Sequence, residues 1–507
     1  MELGDNMARK FRFILSLTAL ILALSGLNLA YGVQANSYND TIQPDPGYVT
    51  LIGTIYYYDR HGQLQPASNI IAQLIEVDDG GSSANDILQE TITDASGNFY
   101  FQELNFDIDG PTGDRRLDLY VMFLSANYNY AVLNLDGAIY NWSTDIIYNA
   151  ESFTYRQDKT VSQNDNWAPA LWMQNDIKRT RDFIQDNTNP SIDPGFMSVR
   201  WEENINTHRS CPVSCYIPGE YAFIADRRKN APDVVVHELT HHIMYNINDH
   251  IPSSPNCANH SINRASDAVC AFGEGWAEFL PLLVNGDECY DCGLGPCGYN
   301  ADWYFDLEFS TRDTPNFDYG DTVEGRVAAA FFDLCDPENE SPWYDDEHWG
   351  FEKIAHVMLN RVGQDTFSEF YSHYANENLH YAIRSLFQNT IDYNTAPYFY
   401  QNLPIKDVLG GFYYQQLLHL PSYIYDNESD FNNLQINVHP TSAPFCNLSI
   451  NGAFLSGDFS TITQGHCEAL IEVSDSLTST WQLLVINIHP ATNAIYFPAI
   501  QDNSFVK

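Results

Sequence analysis

Val234-Val235-Val236-His237-Glu238-Leu239-Thr240-His241-His242 is an apolar run that carries two imidazoles four residues apart with a carboxylate between them. Residues four apart on an α-helix project from one face, so His237 and His241 can converge on a single point. Pro232 and Asp233 mark a helix start just upstream, with Asp233 as a cap or first-turn acid. Glu238 lies one step round the helix from His237, beside that point of convergence. His242 is turned about 100° from His241 and faces elsewhere. Two converging imidazoles form the nitrogen donor set that zinc accepts in a tetrahedral shell.

A catalytic zinc site takes three protein ligands and leaves the fourth position to water. A metzincin would place a third histidine six residues after His241, but position 247 is Ile and position 244, where a glycine would stand, is Met. His250 falls at the wrong spacing. The better donor lies in Phe272-Gly273-Glu274-Gly275-Trp276-Ala277-Glu278-Phe279, an apolar helix start with two acids four apart. Burying both carboxylates without a cation or hydrogen-bond partner would be costly. Glu274 is therefore expected as the third ligand. Glu278, one turn on, is expected to accept a hydrogen bond from the far nitrogen of His237. Cys257 and Cys270 bracket most of the intervening segment, and a bridge between them would stiffen the approach of Glu274.

Zinc lowers the pKa of a bound water from about 15.7 to around 7 in favourable sites, and Glu238 is placed to take the proton. His237-Glu-Leu-Thr-His241 followed by Gly273-Glu274-Gly275-Trp276-Ala277-Glu278 resembles the gluzincin metallopeptidases, the group that includes thermolysin, over roughly residues 165–400. The resemblance implies a zincin-like catalytic domain, zinc on His237, His241 and Glu274, and Glu238 as general base. The 32 residues between His241 and Glu274 exceed the spacing of thermolysin-like and aminopeptidase relatives. There is no Gly-x-Met-Glu-Asn element of the aminopeptidase kind, which favours an endopeptidase. Arg326, Tyr344, His348 and His356 are candidates to stabilise the oxyanion. Glu220-Tyr221-Ala222-Phe223-Ile224 is either an edge strand that pairs with extended substrate or ordinary sheet core.

The rest of the chain frames this centre. Its 507 residues suggest about two or three domains. A formal charge of −42 argues against nucleic acid and anionic membranes as partners and implies a solvated acidic surface. Calcium is a second cation such a surface could hold, although no EF-hand spacing is present. Arg9, Lys10 and Arg12 followed by the apolar run Phe13 to Leu24 form an export signal over 1–35, and no other run reaches spanning length. Eight cysteines between Cys211 and Cys335, with Cys446 and Cys467 beyond, fit disulfides in an oxidising compartment. Cys289, Cys292 and Cys297 read as part of that set rather than as a zinc knuckle, and Cys446–Cys467 is the natural C-terminal pair.

Residues 48–150 read as strands, and Thr93-Asp94 to Phe99 resembles the small β-sandwich modules found beside secreted enzymes. Asp94-Ala95-Ser96-Gly97-Asn98 is predicted as a hairpin turn. Helical periodicity begins near Asn166, strands are read at Phe196 to Glu202 and Glu220 to Asp226, the catalytic domain is set at 160–404, and β-like alternation returns over 405–507. The expected class is α+β: a β-sandwich, a zincin-like catalytic domain and a small C-terminal β-rich region. The expected function is a secreted or surface zinc peptidase acting on protein or peptide, without integral membrane association once the signal is removed. The alternatives are an inactive adhesion protein on the same fold and a zinc hydrolase of non-peptide amides or esters. Intact Glu238 argues against the former.

Overall fold

A computed structural model describes residues 47–77, 85–106, 116–189, 191–209, 211–291, 304–308, 314–338, 349–360, 364–378, 382–442 and 447–491. The export signal, Cys292, Cys297, Tyr344, His348 and Cys446 lie outside the described residues.

Strand β1 (Tyr48–Tyr58) alternates inward Val49 and Leu51 with more exposed neighbours, as a half-buried strand must. It pairs antiparallel with β2 (Leu64–Pro66) and β5 (Asn98–Leu104), and parallel with β9 (Thr154–Arg156) and β10 (Lys159–Val161). A second sheet has the order β4 (Asp86–Ile92), β3 (Ile71–Glu76), β6 (Leu119–Leu124), β8 (Asn141–Ser143). Phe99 of the first sheet meets Phe123 of the second edge-on, ring centroids 5.4 Å apart. The turn at 94–98 is not a hairpin. It carries the chain from β4, which pairs with β3, to β5, which pairs with β1. Alternation locates strands but not their partners, and the turn's Asp94 Oδ1 accepts from the backbone of Ser96 and Asn98 in either setting. Gly97 at φ +77° is needed there, since a Cβ would fall 2.6 Å from the Ile55 carbonyl.

Strand β7 (Tyr130–Leu133) belongs to neither sheet. It pairs in parallel with β11 (Met197–Trp201), in the order β12 (Cys215–Ile217), β13 (Tyr221–Ile224), β11, β7. A strand pair thus crosses the boundary read near residue 150, and one hydrophobic cluster runs from Val49 to Ile391. Arg60 adds a polar tie: its Nη1 donates at 3.0 Å to Asp176, whose side chain is wholly buried on helix α1 (Ala168–Asn187).

Helix α2 (Pro232–Asn248) buries Val235, Val236, Leu239 and Ile243. Its first turn carries Asp233, as read, and left-handed Asp249 ends it. Helix α3 (Ala268–Asn285) is capped by Asp267, which accepts from the N–H groups of Val269 and Cys270. Gly275 lets α3 seat on α4 (Glu324–Cys335), because a Cβ there would lie 2.7 Å from Val327. Trp276 and Phe279 then pack on Phe331 at 5.2 and 5.4 Å. Helices α5 (Phe351–Asn360), α6 (Phe367–Asn378) and α7 (Ile383–Gln388) complete this layer. Helices and strands together make the chain α+β.

Residues beyond 398 have their own core around Leu418, Leu455, Ile471 and Ile486. It lies between a sheet of β17 (Lys406–Leu409), β24 (Ser479–His489), β23 (Gly465–Ser474) and β20 (Gln435–Pro440) and one of β18 (Tyr413–His419), β22 (Phe454–Asp458) and β21 (Leu448–Asn451). The small pair β16 (Tyr398–Phe399) and β19 (Ile424–Tyr425) joins on. Cys467 is disulfide-bonded. Among the described residues no helix is long and apolar enough to cross a membrane.

Candidate metal centre

Helices α2 and α3 bring His237, His241 and Glu274 together. Oε2 of Glu274 lies 3.2 Å from Nε2 of His237 and 3.2 Å from Nε2 of His241. The two imidazole centroids are 4.9 Å apart with planes at 85°. Zinc–ligand bonds of about 2.0–2.2 Å imply tetrahedral ligand–ligand spacings of about 3.4 Å, close to the two spacings from Glu274, and the three donor atoms all lie within 4.8 Å of one another. The donor types, two imidazoles and a carboxylate, suit zinc as well.

Backbone packing sets this approach. Gly273 lets α3 pass beneath the preceding loop, since a Cβ would fall 2.6 Å from the Pro252 carbonyl. The Cys257–Cys270 disulfide is present and closes that loop, and Cys257 Sγ lies 3.7 Å from Glu274 Oε1. A second bridge joins Cys211 and Cys215 at the start of β12.

Glu238 is buried beside the three and accepts a hydrogen bond from the backbone N–H of Tyr216 on β12. Burial pushes its carboxyl up to about 8; the charge of Glu274 adds to the rise and His241 opposes it. Burial would also raise Glu274, but the charge of His241 and hydrogen bonds from both imidazoles hold it well below its ordinary value. The histidines part ways. Burial lowers His237, whereas at His241 the charges of Glu274 and Glu238 and the Glu274 hydrogen bond outweigh burial and raise it.

The far nitrogen of His237 does not meet Glu278. His237 Nδ1 lies 3.3 Å from the hydroxyl of Tyr290 on β14 (Cys289–Asp291), which pairs with β15 (Tyr304–Asp306). Glu278 faces the α3–α4 contact, where its carboxyl hydrogen-bonds Glu324. Oε2 of Glu324 also lies 2.8 Å from Nδ1 of His260. His242 is buried away from the centre, with Nε2 3.1 Å from the Pro194 carbonyl and Nδ1 3.3 Å from the Tyr216 hydroxyl.

The centre opens into a cavity of about 790 Å³ whose wall includes Tyr216, Ile262, Tyr290 and His260. Glu220–Ile224 takes the core alternative: β13 is fully buried between β12 and β11. Among the described residues β12 is an end strand of this sheet, and its Cys215 and Tyr216 line the cavity. Arg326 is wholly buried, its guanidinium 4.4 Å from the Phe317 ring, and His356 is exposed on α5; neither lines the cavity. The residues that sequence reasoning missed are Tyr290, Glu324 and His260. They sit on a short strand, a helix start and a loop, with no periodic spacing to link them to the histidines.

Residues 185–390 match the family model described as the mycolysin C-terminal domain. The match takes in His237, His241 and Glu274 and points to a zinc metallopeptidase. No curated protein matches the chain. Solved structures with local likeness include a 9R-lipoxygenase from Cyanothece PCC8801, at 18% identity over 26% of this chain and 19% of that one, TM-score 0.17. An endo-fucoidan hydrolase of glycoside hydrolase family 107 gives 27% identity over 20% and 16%, TM-score 0.16. An (S)-allantoin synthase gives 13% over 24% and 43%, TM-score 0.15. The chain thus spans well under two thirds of each of these proteins, and overlaps this slight carry no argument about fold or activity.

Proposed function

We propose that this chain is a secreted zinc endopeptidase in which His237, His241 and Glu274 hold the metal and Glu238 is the general base. The observation that carries the reading is the equal 3.2 Å spacing of one Glu274 oxygen from two imidazole nitrogens, with Glu238 buried beside them. Zinc, when bound, supplies a Lewis acid that makes water acidic enough to lose a proton near neutral pH.

The chain's own groups do the rest. Glu238, lifted by burial, would be returned to its charged form with a divalent cation held beside it and could then accept a proton from water. The Tyr216 N–H keeps it aimed. Glu238 then returns the proton to the leaving nitrogen as the C–N bond breaks. The outer edge of β12 would offer its backbone groups other than the Tyr216 N–H to an extended peptide. Export is supported by the basic and apolar leader and by the disulfides.

The test is hydrolysis of a quenched peptide library by the full mature chain loaded with zinc. Cutting should stop with chelator and return with zinc. Glu238→Gln should keep one zinc per chain and cut about 10²–10⁴-fold more slowly. A wild type that holds zinc and cuts no peptide overturns the reading in favour of adhesion or a non-peptide substrate.

A further inference from the structure

We propose that His260 is a catalytic residue that donates a hydrogen bond from Nε2 to the carbonyl oxygen of the scissile bond, with Glu324 as its positioning residue. This deepens the peptidase reading and rests on it.

Hydrolysis moves the carbonyl π pair onto oxygen as water adds to carbon. The pair returns as the C–N bond breaks and the nitrogen takes the proton from Glu238. A fixed donor aimed at that oxygen accelerates the step, because its bond strengthens as the charge develops. Several other polar groups on the cavity wall are already engaged. The Tyr290 hydroxyl faces His237, the Tyr216 hydroxyl accepts from the Gly219 N–H, and His250 Nε2 is held by Asp365. His260 lines the same cavity with Nδ1 bound to Glu324 and no protein partner on Nε2 among the described residues.

Its mounting is rigid on one end and open on the other. The Glu324 side chain is 3% exposed, whereas that of His260 is 35% exposed. The loop that carries His260 is clamped to the start of α4: the Gly325 N–H donates to the Ile262 carbonyl at 2.9 Å, and a Cβ at 325 would fall 2.5 Å from that oxygen. Three residues before His260, Cys257 is tied to α3 by its disulfide.

The proton inventory favours a donor at Nε2. Glu324 also hydrogen-bonds Glu278, and two carboxyl groups share such a bond only with a proton between them. At His260, burial opposes the charged ring, and the Glu324 hydrogen bond on Nδ1 works against that and favours a proton on the imidazole. With two protons shared between imidazole and Glu324, Nε2 carries a hydrogen whether the proton of the Nδ1–Oε2 contact sits on the ring or on the carboxyl.

The experiment compares zinc-loaded full-length wild type, His260→Ala, Glu324→Ala and Glu324→Gln on one peptide, with zinc content and thermal unfolding measured alongside. His260→Ala should lower kcat about 10²–10³-fold with KM within a few-fold. Glu324→Ala should lower kcat in the same way, and the double alanine variant should be no worse than His260→Ala alone. Glu324→Gln, whose amide can donate to Nδ1 and leave the proton on Nε2, should recover most of the activity. Should His260→Ala not fold, His260→Phe keeps the ring volume and removes both nitrogens, under the same thresholds. A folded, zinc-replete variant that loses less than tenfold in kcat overturns the role of His260 and leaves the peptidase reading standing. A wild type without peptidase activity overturns both.

Discussion

Nδ1 of His237 lies 3.3 Å from the hydroxyl of Tyr290, which stands fifty-three residues further along the chain. A partner on the far nitrogen fixes the tautomer and turns the lone pair of Nε2 toward the metal position. Losing such a partner costs about 10–100-fold in metal affinity. Tyr290→Phe should therefore bind zinc about tenfold more weakly in competition with a chromophoric chelator. Its kcat at saturating zinc should stay within a few-fold of wild type. Unchanged affinity would show that the hydroxyl does not anchor the ring.

Glu274 holds the two imidazoles at equal distance, so its removal should break the donor set and not merely loosen it. Glu274→Ala should lose zinc more severely than Tyr290→Phe, by more than about 100-fold, since an inner donor outweighs an outer partner. Metal analysis after dialysis against weak chelator reads this directly. Retention of one zinc per chain would remove Glu274 from the ligand set.

The buried Glu238 predicts a pH signature in metal-free protein. Its carboxyl has an ordinary value of 4.5 and a folded value of about 8. Between those limits the native state binds more protons than the unfolded chain, so stability falls as pH rises. The contribution is fully present below 4.5 and is lost as pH passes through 8. In chelator, wild type should lose thermal stability relative to Glu238→Gln between pH 5 and 8. A wild-type-minus-variant difference that stays flat across that range would mean the carboxyl titrates normally.

The Cys257–Cys270 bridge spans 13 residues and carries the loop that touches Glu274. Closing a loop of that size contributes about 3 kcal/mol in the chain-entropy view. The double Cys257→Ser, Cys270→Ser variant should lose stability of that order in denaturant. Its zinc affinity should fall as well, because the wall beside Glu274 loosens. A variant with reduced stability and undiminished zinc affinity would confine the bridge to a folding role.

The helical turn of α2 was legible because its chemistry is periodic: His237 and His241 share a face in any α-helix. Glu274 was legible because an apolar helix start with paired acids asks for a partner. Glu278 was misassigned for a reason of packing. It shares a face with Glu274, but Gly275 draws α3 onto α4, and Glu278 meets Glu324 there. The strand registers show the same limit. Alternation marked Thr91–Thr93 and Phe99–Phe101 as strands, yet which neighbours they join is decided by the packed sheets. His260 and Tyr290 lie on irregular or short segments, where no spacing rule links them to a helix elsewhere.

Main-chain pairing between Tyr130–Leu133 and Met197–Trp201 has a practical outcome. Shears applied to the polypeptide near residue 150 would not release a free-standing front piece. A protease nick there would leave both fragments clasped and co-migrating until denaturant parts them. Either half expressed alone would show a raw sheet margin, with its stickiness and poor yield. The front half is thus built in as a wall of the helical body rather than hung on it as a detachable cassette.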